Sequence, residues 1–498
     1  MNDPEQLLRQ AEHFARTGNR NSARQHLLDL AAHRGVSPNL LLSAAFQAYQ
    51  IGELDLAEQC LRKIIRIAPN FGPAYTNLGN ILRETGQLEE AIEMTETACE
   101  LAPGDVMNFA NLGGLQEENQ RPDKAEVAYR EALDRTPGEP GLMDSLGRVL
   151  LKLARPGEAM SVLKTAVDKA PGLVSAHINI GNLYQEAEQL APAATAYETA
   201  LNLEPKSLLA GNNLALVRLR QGRLDEAEAG FKMITKMAPG SPLAFNNLAQ
   251  TQFQKGALTA ALEACEGALA CDPGNRTALA NKIIILNDIP NQAAVSYLQD
   301  LELFVTTQHI PVPEGFSSSA TFNDALFAEV DAEPDRFSEK GQAQGRQTRN
   351  IMLEPGPAVR AYSDAMNNAV RHYMDELHDD PAHPFFAGRP DTWRLEAWGT
   401  ITQQVSSGED THIHPDAWLS GVYYPRLPAA VQNQADTDGY LEIGRAPNHM
   451  AQRIVPKLKV VRPEMGLLVL FPSYFYHRVL PFKSPETRMS VAFDAVPI

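Results

Sequence analysis

The sequence has little cysteine, little positive charge and no long apolar run. Its four cysteines lack the spacing of a zinc site or a disulfide framework. The formal net charge of -17 argues against a nucleic-acid or anionic-membrane binder, because such proteins need a basic surface. There is no apolar run of about 18 residues and no signal-peptide core at the start, so we expect a soluble, cytoplasmic protein without membrane partners.

Tryptophan is also scarce, and its distribution divides the chain. All three tryptophans and eight of the twelve histidines lie after residue 300, whereas the first part is rich in alanine, leucine, glutamate and asparagine. A chain of 498 residues is too long for one ordinary core, so at least two domains are expected. The composition predicts a helical first part and a chemically more varied second part.

Two residue types repeat with a period of 34 in the first part. Proline recurs in phase at positions 69, 103, 137, 171, 205, 239 and 273. Alanine recurs at positions 23, 57, 91, 125, 159, 193, 227 and 261. Two series that keep one period over so many units indicate a tandem array of identical structural units.

Each unit reads as two amphipathic helices joined by a short turn, such as residues 85–87. Gly79 and Ala91 are small where the paired helices must approach closely, and Pro103 separates one unit from the next. This pattern resembles the tetratricopeptide repeat. The resemblance covers about residues 1–290 and implies an α-solenoid whose concave face binds a protein or peptide.

One repeat position carries asparagine in most units and serine at Ser145. A side-chain amide can donate and accept, which suits binding the backbone of an extended peptide. The series resembles the asparagine ladder of the O-linked N-acetylglucosamine transferase superhelix. The alternative is that each amide bonds a neighbouring group of its own repeat. The asparagines are Asn77, Asn111, Asn179, Asn213, Asn247 and Asn281.

The 34-residue register ends after Leu286, and residues 291–320 read as a linker that leads into a second domain, residues 321–498. A helix is predicted near residues 357–377. From Trp393 onward, short runs rich in β-branched and aromatic residues, bounded by glycine and proline, predict strands. We therefore expect a β jelly roll, and a multidomain α plus β chain overall.

Two segments of this domain concentrate candidate metal ligands. Residues two apart in an extended chain point the same way, so His412 with His414, or His414 with Asp416, could converge on one ion. His477, which follows a buried apolar strand, is placed to supply a third ligand. Two histidines and a carboxylate that leave open positions are typical of non-haem Fe(II) oxygenases.

A guanidinium and a hydroxyl follow eleven and thirteen residues after His477. Arg488 can bind a carboxylate through two parallel hydrogen bonds, and Ser490 lies on the same face of the predicted strand. This pair suits the distal carboxylate of 2-oxoglutarate.

The segments HIHPDAWLSGVYY and GLLVLFPSYFYHRV, with RMSVAF after them, resemble a bacterial 2-oxoglutarate/Fe(II) oxygenase family related to prolyl and aspartyl/asparaginyl hydroxylases. The resemblance implies a double-stranded β-helix that uses Fe(II), 2-oxoglutarate and O₂. It assigns His477 as the distal ligand and Arg488 with Ser490 to 2-oxoglutarate. The favoured triad is His414, Asp416 and His477, and His412 in place of Asp416 is the alternative.

The leading hypothesis is a dioxygenase that hydroxylates a protein or peptide recruited by the repeats. A cupin-like metalloprotein is a second possibility, because His-X-His with a later histidine also describes cupins, although a cupin does not need Arg488-X-Ser490. A non-catalytic scaffold for protein–protein interaction is the third.

Overall fold

The computed structural model describes residues 3–289, 291–334, 346–377, 380–406, 410–433, 437–450 and 452–498. The chain forms two compact units, Met1–Val217 and Arg218–Ile498. Within the described residues, no helix is long and apolar enough to cross a membrane.

The first unit is a series of helical hairpins in which three residues join the two helices of each pair. This arrangement confirms the tetratricopeptide-type solenoid that the period of 34 predicts. The helices are α1 Pro4–Arg16, α2 Arg20–Ala32, α3 Pro38–Gln50, α4 Leu54–Ile67, α5 Gly72–Glu84, α6 Leu88–Leu101, α7 Val106–Glu118, α8 Pro122–Arg135, α9 Pro140–Lys152, α10 Pro156–Lys169, α11 Val174–Glu186, α12 Leu190–Leu203 and α13 Leu208–Arg220.

Gly113 lies where the two helices of its hairpin approach each other most closely. A Cβ atom added to Gly113 on α7 would lie 2.6 Å from the ring of Tyr129 on α8. A Cβ added to the adjacent Gly114 would meet nothing closer than the Tyr129 hydroxyl at 3.8 Å. Glycine is therefore required at the first position, because a larger residue would push the aromatic ring out of the hairpin.

Gly113→Ala should destabilise the first unit, and Gly114→Ala is its matched control. Overpacking a well-filled site costs about 1–3 kcal/mol, whereas alanine in place of a helical glycine that has room for the methyl group gains about 1 kcal/mol. Urea unfolding followed by far-UV circular dichroism should give a lower midpoint for Gly113→Ala than for the unchanged chain, and a midpoint at or above it for Gly114→Ala. Equal midpoints for the two variants would contradict the packing argument.

The second unit begins with further helices of the repeat. Residues 291–320, predicted as a linker, contain two short helices and a strand, and the helix predicted at residues 357–377 is observed as α21. The elements are α14 Leu224–Met237, α15 Pro242–Gln254, α16 Leu258–Cys271, α17 Arg276–Asp288, α18 Gln292–Leu298, α19 Leu301–Phe304, β1 Thr306–His309, α20 Ser319–Ala332, β2 Arg346–Gln347, α21 Pro357–Glu376 and α22 Pro384–Ala387.

The rest of the second unit is mostly antiparallel β-structure, as the strand-like runs predict. The larger sheet has the strand order β1-β7-β4-β9-β3-β2 and the smaller sheet the order β6-β5-β8. The two sheets are consistent with a jelly roll. The elements are β3 Trp393–Ser406, β4 Leu419–Arg426, α23 Ala429–Asn433, β5 Leu441–Ile443, a 3-10 helix Asn448–Met450, β6 Lys459–Val461, β7 Leu467–Pro472, β8 His477–Val479 and β9 Phe482–Pro497.

The two faces of strand β9 differ in character: one packs into the apolar core, and the other carries polar side chains. Its odd-numbered residues Met489, Val491, Phe493 and Ala495 are fully buried. The Tyr362 hydroxyl on α21 donates to the Val491 carbonyl at 3.2 Å. Even-numbered residues project from the opposite face because side chains alternate along a strand. Arg488 and Asp494 therefore share one side of the sheet.

Helix α17 belongs to the same hydrophobic core as the β-sheets, to which it contributes Leu279 and Leu286. Hydrogen bonds reinforce the contact. The Asp288 carboxylate accepts the backbone N–H groups of Arg453 and Ile454 at 2.9 and 3.0 Å. The boundary between the compact units consequently lies at residue 217, inside the predicted repeat domain of residues 1–290.

Candidate metal centre

Three histidines meet where the loop before β4 lies beside β8. The candidate ligand nitrogens of His412, His414 and His477 all lie within 4.8 Å of one another. The ring centroids are 4.4 to 5.2 Å apart. His477 is buried, and His412 and His414 are half-buried. Three imidazoles this close can share one metal ion.

The Nδ1 atom of each ring already has a partner. His412 Nδ1 lies 2.7 Å from the Asp410 carbonyl oxygen, and His477 Nδ1 lies 3.0 Å from that of Phe475. His414 Nδ1 lies 2.6 and 2.8 Å from the two carboxylate oxygens of Asp494. A carbonyl or carboxylate oxygen accepts hydrogen bonds, so Nδ1 carries the proton in each neutral ring. The lone pair is therefore on Nε2, which is available for a metal ion.

Backbone hydrogen bonds hold the ligand-bearing segments together. The N–H of His412 donates to the His477 carbonyl at 3.1 Å, and the N–H of His477 donates back to His412 at 3.0 Å. The N–H of His414 donates to the Ser473 carbonyl at 3.0 Å. These bonds are between main-chain atoms, so they fix the backbone positions from which the three rings project.

Trp418 fixes the start of β4, four residues after His414. Its indole stacks on Phe385 with centroids 4.4 Å apart, and its Nε1 donates to the Phe385 carbonyl at 2.9 Å. Its backbone N–H donates to Ala495 at 2.9 Å. The histidine segment is thus anchored at both ends.

The protonation state of His477 favours metal binding. Burial lowers its pKa well below the ordinary value, and the nearby His412 and His414 lower it further. The hydrogen bond to the Phe475 carbonyl acts in the opposite direction. The result is a neutral imidazole, the form that binds a metal ion.

Asp416 does not join the three histidines. Among the described residues, the ligand cluster contains His412, His414 and His477, whereas Asp416 is exposed. Its carboxylate acts electrostatically on Arg276 of α17, whose pKa burial lowers and Asp272 and Asp416 raise. The sequence analysis favoured Asp416 and kept His412 as the alternative, and the structure brings His412, not Asp416, to the cluster.

Asp494 is a site residue that sequence reasoning missed. It lies on β9, is only 8% exposed, and accepts hydrogen bonds from His414 and from the Ser420 hydroxyl at 2.7 Å. A signal was present in the sequence: an aspartate interrupts an apolar strand at the same alternation as Arg488 and Ser490. Its charge supports His414 from behind, as carboxylates commonly do for histidines that bind metals.

Arg488 and Ser490 lie further along the same face of β9 and are 1% and 5% exposed. The Arg488 guanidinium carbon lies 5.6 Å from the Tyr424 ring centroid and 5.5 Å from that of Phe482. At about 3.3 Å per residue, Arg488 and Asp494 are about 20 Å apart along the strand. The small side chains of Ser490 and Ala492 lie between them.

The asparagines of the predicted ladder occupy different environments. Asn77 is exposed and its Nδ2 donates to the Pro73 carbonyl at 2.7 Å. Asn179 is buried and donates to Asp144 at 2.7 Å, and Asn213 donates to Asn182 at 3.1 Å. Asn281 is buried, and Asn111 and Asn247 are half-buried. Several of these amides bond groups of the repeat array itself, and peptide binding by the series stays a prediction.

Two regions of the chain match known protein families. Residues 396–494 match the family described as "Putative 2OG-Fe(II) oxygenase", a range that runs from β3 to Asp494. Tetratricopeptide repeat families match residues 60–93, 111–174, 178–242 and 231–276. The chain therefore carries tetratricopeptide repeats and, towards its C-terminus, a region that matches a 2OG-Fe(II) oxygenase family. No curated protein matches it.

Solved structures that resemble the chain include several repeat proteins. A tetratricopeptide repeat protein from Parabacteroides merdae is 16% identical, covers 50% of this chain and 99% of its own, and has a TM-score of 0.44. A repeat protein from Cytophaga hutchinsonii is also 16% identical, with coverages of 48% and 99% and a TM-score of 0.38. YrrB, a TPR protein with an unusual peptide-binding site, is 21% identical, with coverages of 37% and 95% and a TM-score of 0.30.

Asp494→Asn should weaken metal binding while preserving the fold, because the amide is nearly the same size but lacks the charge that supports His414. Loss of such an outer hydrogen-bond partner typically costs about 10- to 100-fold in metal affinity. Anaerobic titration with Fe(II) measures the change. Ser420→Ala, which removes only the hydroxyl bonded to Asp494, should have a smaller effect. Unchanged affinity in Asp494→Asn would show that Asp494 does not support a metal ligand.

Proposed function

We propose that this chain is an Fe(II)- and 2-oxoglutarate-dependent dioxygenase that hydroxylates a protein or peptide recruited by its repeats. The observation that carries the proposal is the three-histidine cluster with every Nδ1 atom engaged and every Nε2 atom available. The match of residues 396–494 to the oxygenase family supports the same conclusion.

The donor set fits Fe(II). His412, His414 and His477 would hold the ion through Nε2, and three protein ligands leave coordination positions open, as catalytic metal sites require. With iron and 2-oxoglutarate bound, the site would activate O₂ for hydroxylation and release succinate and CO₂.

Asp494 compensates for the missing carboxylate ligand in this proposal. Three neutral imidazoles bring no negative charge to a divalent cation, whereas the usual triad brings one. The Asp494 carboxylate lies 2.6 Å from His414 Nδ1. It therefore places a negative charge within one hydrogen bond of the His414 imidazole. This contact fixes the ring and makes Nε2 a stronger donor.

Arg488 and Ser490 would bind the carboxylate of 2-oxoglutarate that lies away from the metal. The guanidinium is almost fully buried beside aromatic rings, where electrostatic attraction is screened less than in water. Its planar fork can hold a carboxylate through two hydrogen bonds, and the Ser490 hydroxyl can donate a third.

A metalloprotein of the cupin type, without 2-oxoglutarate chemistry, is the second candidate function. The three-histidine set favours it, because His412, His414 and His477 form a metal site without a carboxylate. The buried Arg488 and Ser490 favour the oxygenase, since a metal site alone has no use for them.

Anaerobic addition of Fe(II) and then 2-oxoglutarate to the metal-free protein should produce the weak visible charge-transfer band of an iron–2-oxoglutarate chelate. Arg488→Ala should raise the 2-oxoglutarate concentration needed for the band by about 30-fold or more, because truncating one partner of a buried charge pair costs about 2–5 kcal/mol.

Arg394→Ala is the control, since Arg394 is an exposed arginine on β3 that pairs with Glu396. Its titration should match that of the unchanged chain. Iron binding without a band would favour the cupin-type function, and absence of iron binding would contradict both candidates.

A further inference from the structure

A groove of about 1010 Å³ opens in the first unit along the first helices of successive hairpins. We call it the N-terminal groove. Its walls come from α1, α3, α5 and α7, so one surface runs through several repeats. The lining residues that matter for its chemistry are Phe46, Tyr49, Asn77, Arg83, Glu84 and Glu118.

Two aromatic rings project into this groove from α3. Phe46 is 58% exposed and Tyr49 is 46% exposed. Residues three apart on a helix lie on the same face, so the rings are neighbours. Exposed apolar side chains grouped in a groove are typical of a surface that binds another molecule.

The charges around the rings are mainly negative. Glu12, Glu84 and Glu118 line the groove, against Arg83 as a lining cation. Arg83 Nε donates to both Glu118 oxygens, at 3.0 and 2.9 Å. Glu84 is exposed, and a hydrogen bond between Tyr49 and Glu84 raises the pKa of Tyr49. A carboxylate beside aromatic faces is a good binding site for a lysine or arginine side chain.

In later repeats, the same repeat position contacts the backbone of another segment of this chain. Asp288 and Gln254 occupy the position of Glu84 in later repeats. The Asp288 carboxylate accepts the backbone N–H groups of Arg453 and Ile454, and Gln254 Nε2 donates to the His449 carbonyl at 3.0 Å. The position therefore has side chains that hold backbone groups of a segment outside the repeats.

We propose that the N-terminal groove binds an extended, lysine- or arginine-rich segment of a partner protein. The carboxylate of Glu84 attracts the cationic side chains, and Phe46 and Tyr49 pack against their aliphatic stems. The net charge of -17 adds long-range attraction for such a segment. Binding needs no metal, and only the identification of this partner as the hydroxylated substrate rests on the proposed function.

The test uses the full-length, metal-free chain and two fluorescein-labelled peptides of 15 residues. In the first peptide, a cationic residue, lysine or arginine, alternates with leucine. The second peptide has glutamate in place of each cationic residue. Fluorescence anisotropy should show binding of the cationic peptide that weakens as salt is raised, and no comparable binding of the anionic peptide. The double variant Phe46→Ala/Glu84→Gln should weaken binding by about tenfold.

A matched control changes one apolar and one acidic residue on second helices, outside the groove. Val127→Ala/Glu89→Gln removes an exposed side chain on α8 and a charge on α6, and should bind the cationic peptide like the unchanged chain. Far-UV circular dichroism checks that both double variants are folded.

Equal binding of the two peptides, or an unchanged affinity in Phe46→Ala/Glu84→Gln, would overturn the proposal. Self-association that depends on Phe46 and Glu84, without peptide binding, would assign the groove to a second copy of the chain and also overturn it. His477→Ala should retain peptide binding. Peptide binding by the N-terminal groove can therefore be tested independently of the iron chemistry.

Discussion

The candidate metal centre depends on a pair of reciprocal backbone hydrogen bonds between His412 and His477. These residues are far apart in the sequence, and the pair of bonds brings their side chains to the same place. If the loop before β4 slipped by one residue against β8, side chains on the loop would exchange faces. The anchoring of Trp418 by Phe385 and Ala495 opposes such a slip.

Strand β9 places the charged groups of the candidate site. One face builds the core with α21, and the other places Asp494 behind a histidine at one end and Arg488 at the other. A single strand thus supports the histidine cluster and, in the proposed function, supplies the cation for a dicarboxylate. The alternation of side chains is sufficient to explain this division, and the small side chains of Ser490 and Ala492 lie between the two ends.

Much of the fold followed from the sequence because it depends on local, repeated patterns. The period of 34 specified the hairpins, and the alternating runs specified the strands of the β domain. The sequence analysis favoured Asp416 over His412, whereas the structure groups His412 with the other two histidines, because the outcome depends on which strand the loop bonds to. The role of Asp494 and the attachment of α17 through Asp288 also depend on contacts between residues distant in sequence.

The most direct test of this account compares iron binding by His412→Ala and Asp416→Ala in anaerobic titrations of the full-length protein. The account predicts that His412→Ala loses affinity by more than about 100-fold, beyond the loss expected for an outer hydrogen-bond partner. It predicts that Asp416→Ala binds Fe(II) nearly as well as the unchanged chain. Loss of iron binding in Asp416→Ala, with affinity retained in His412→Ala, would contradict the three-histidine centre.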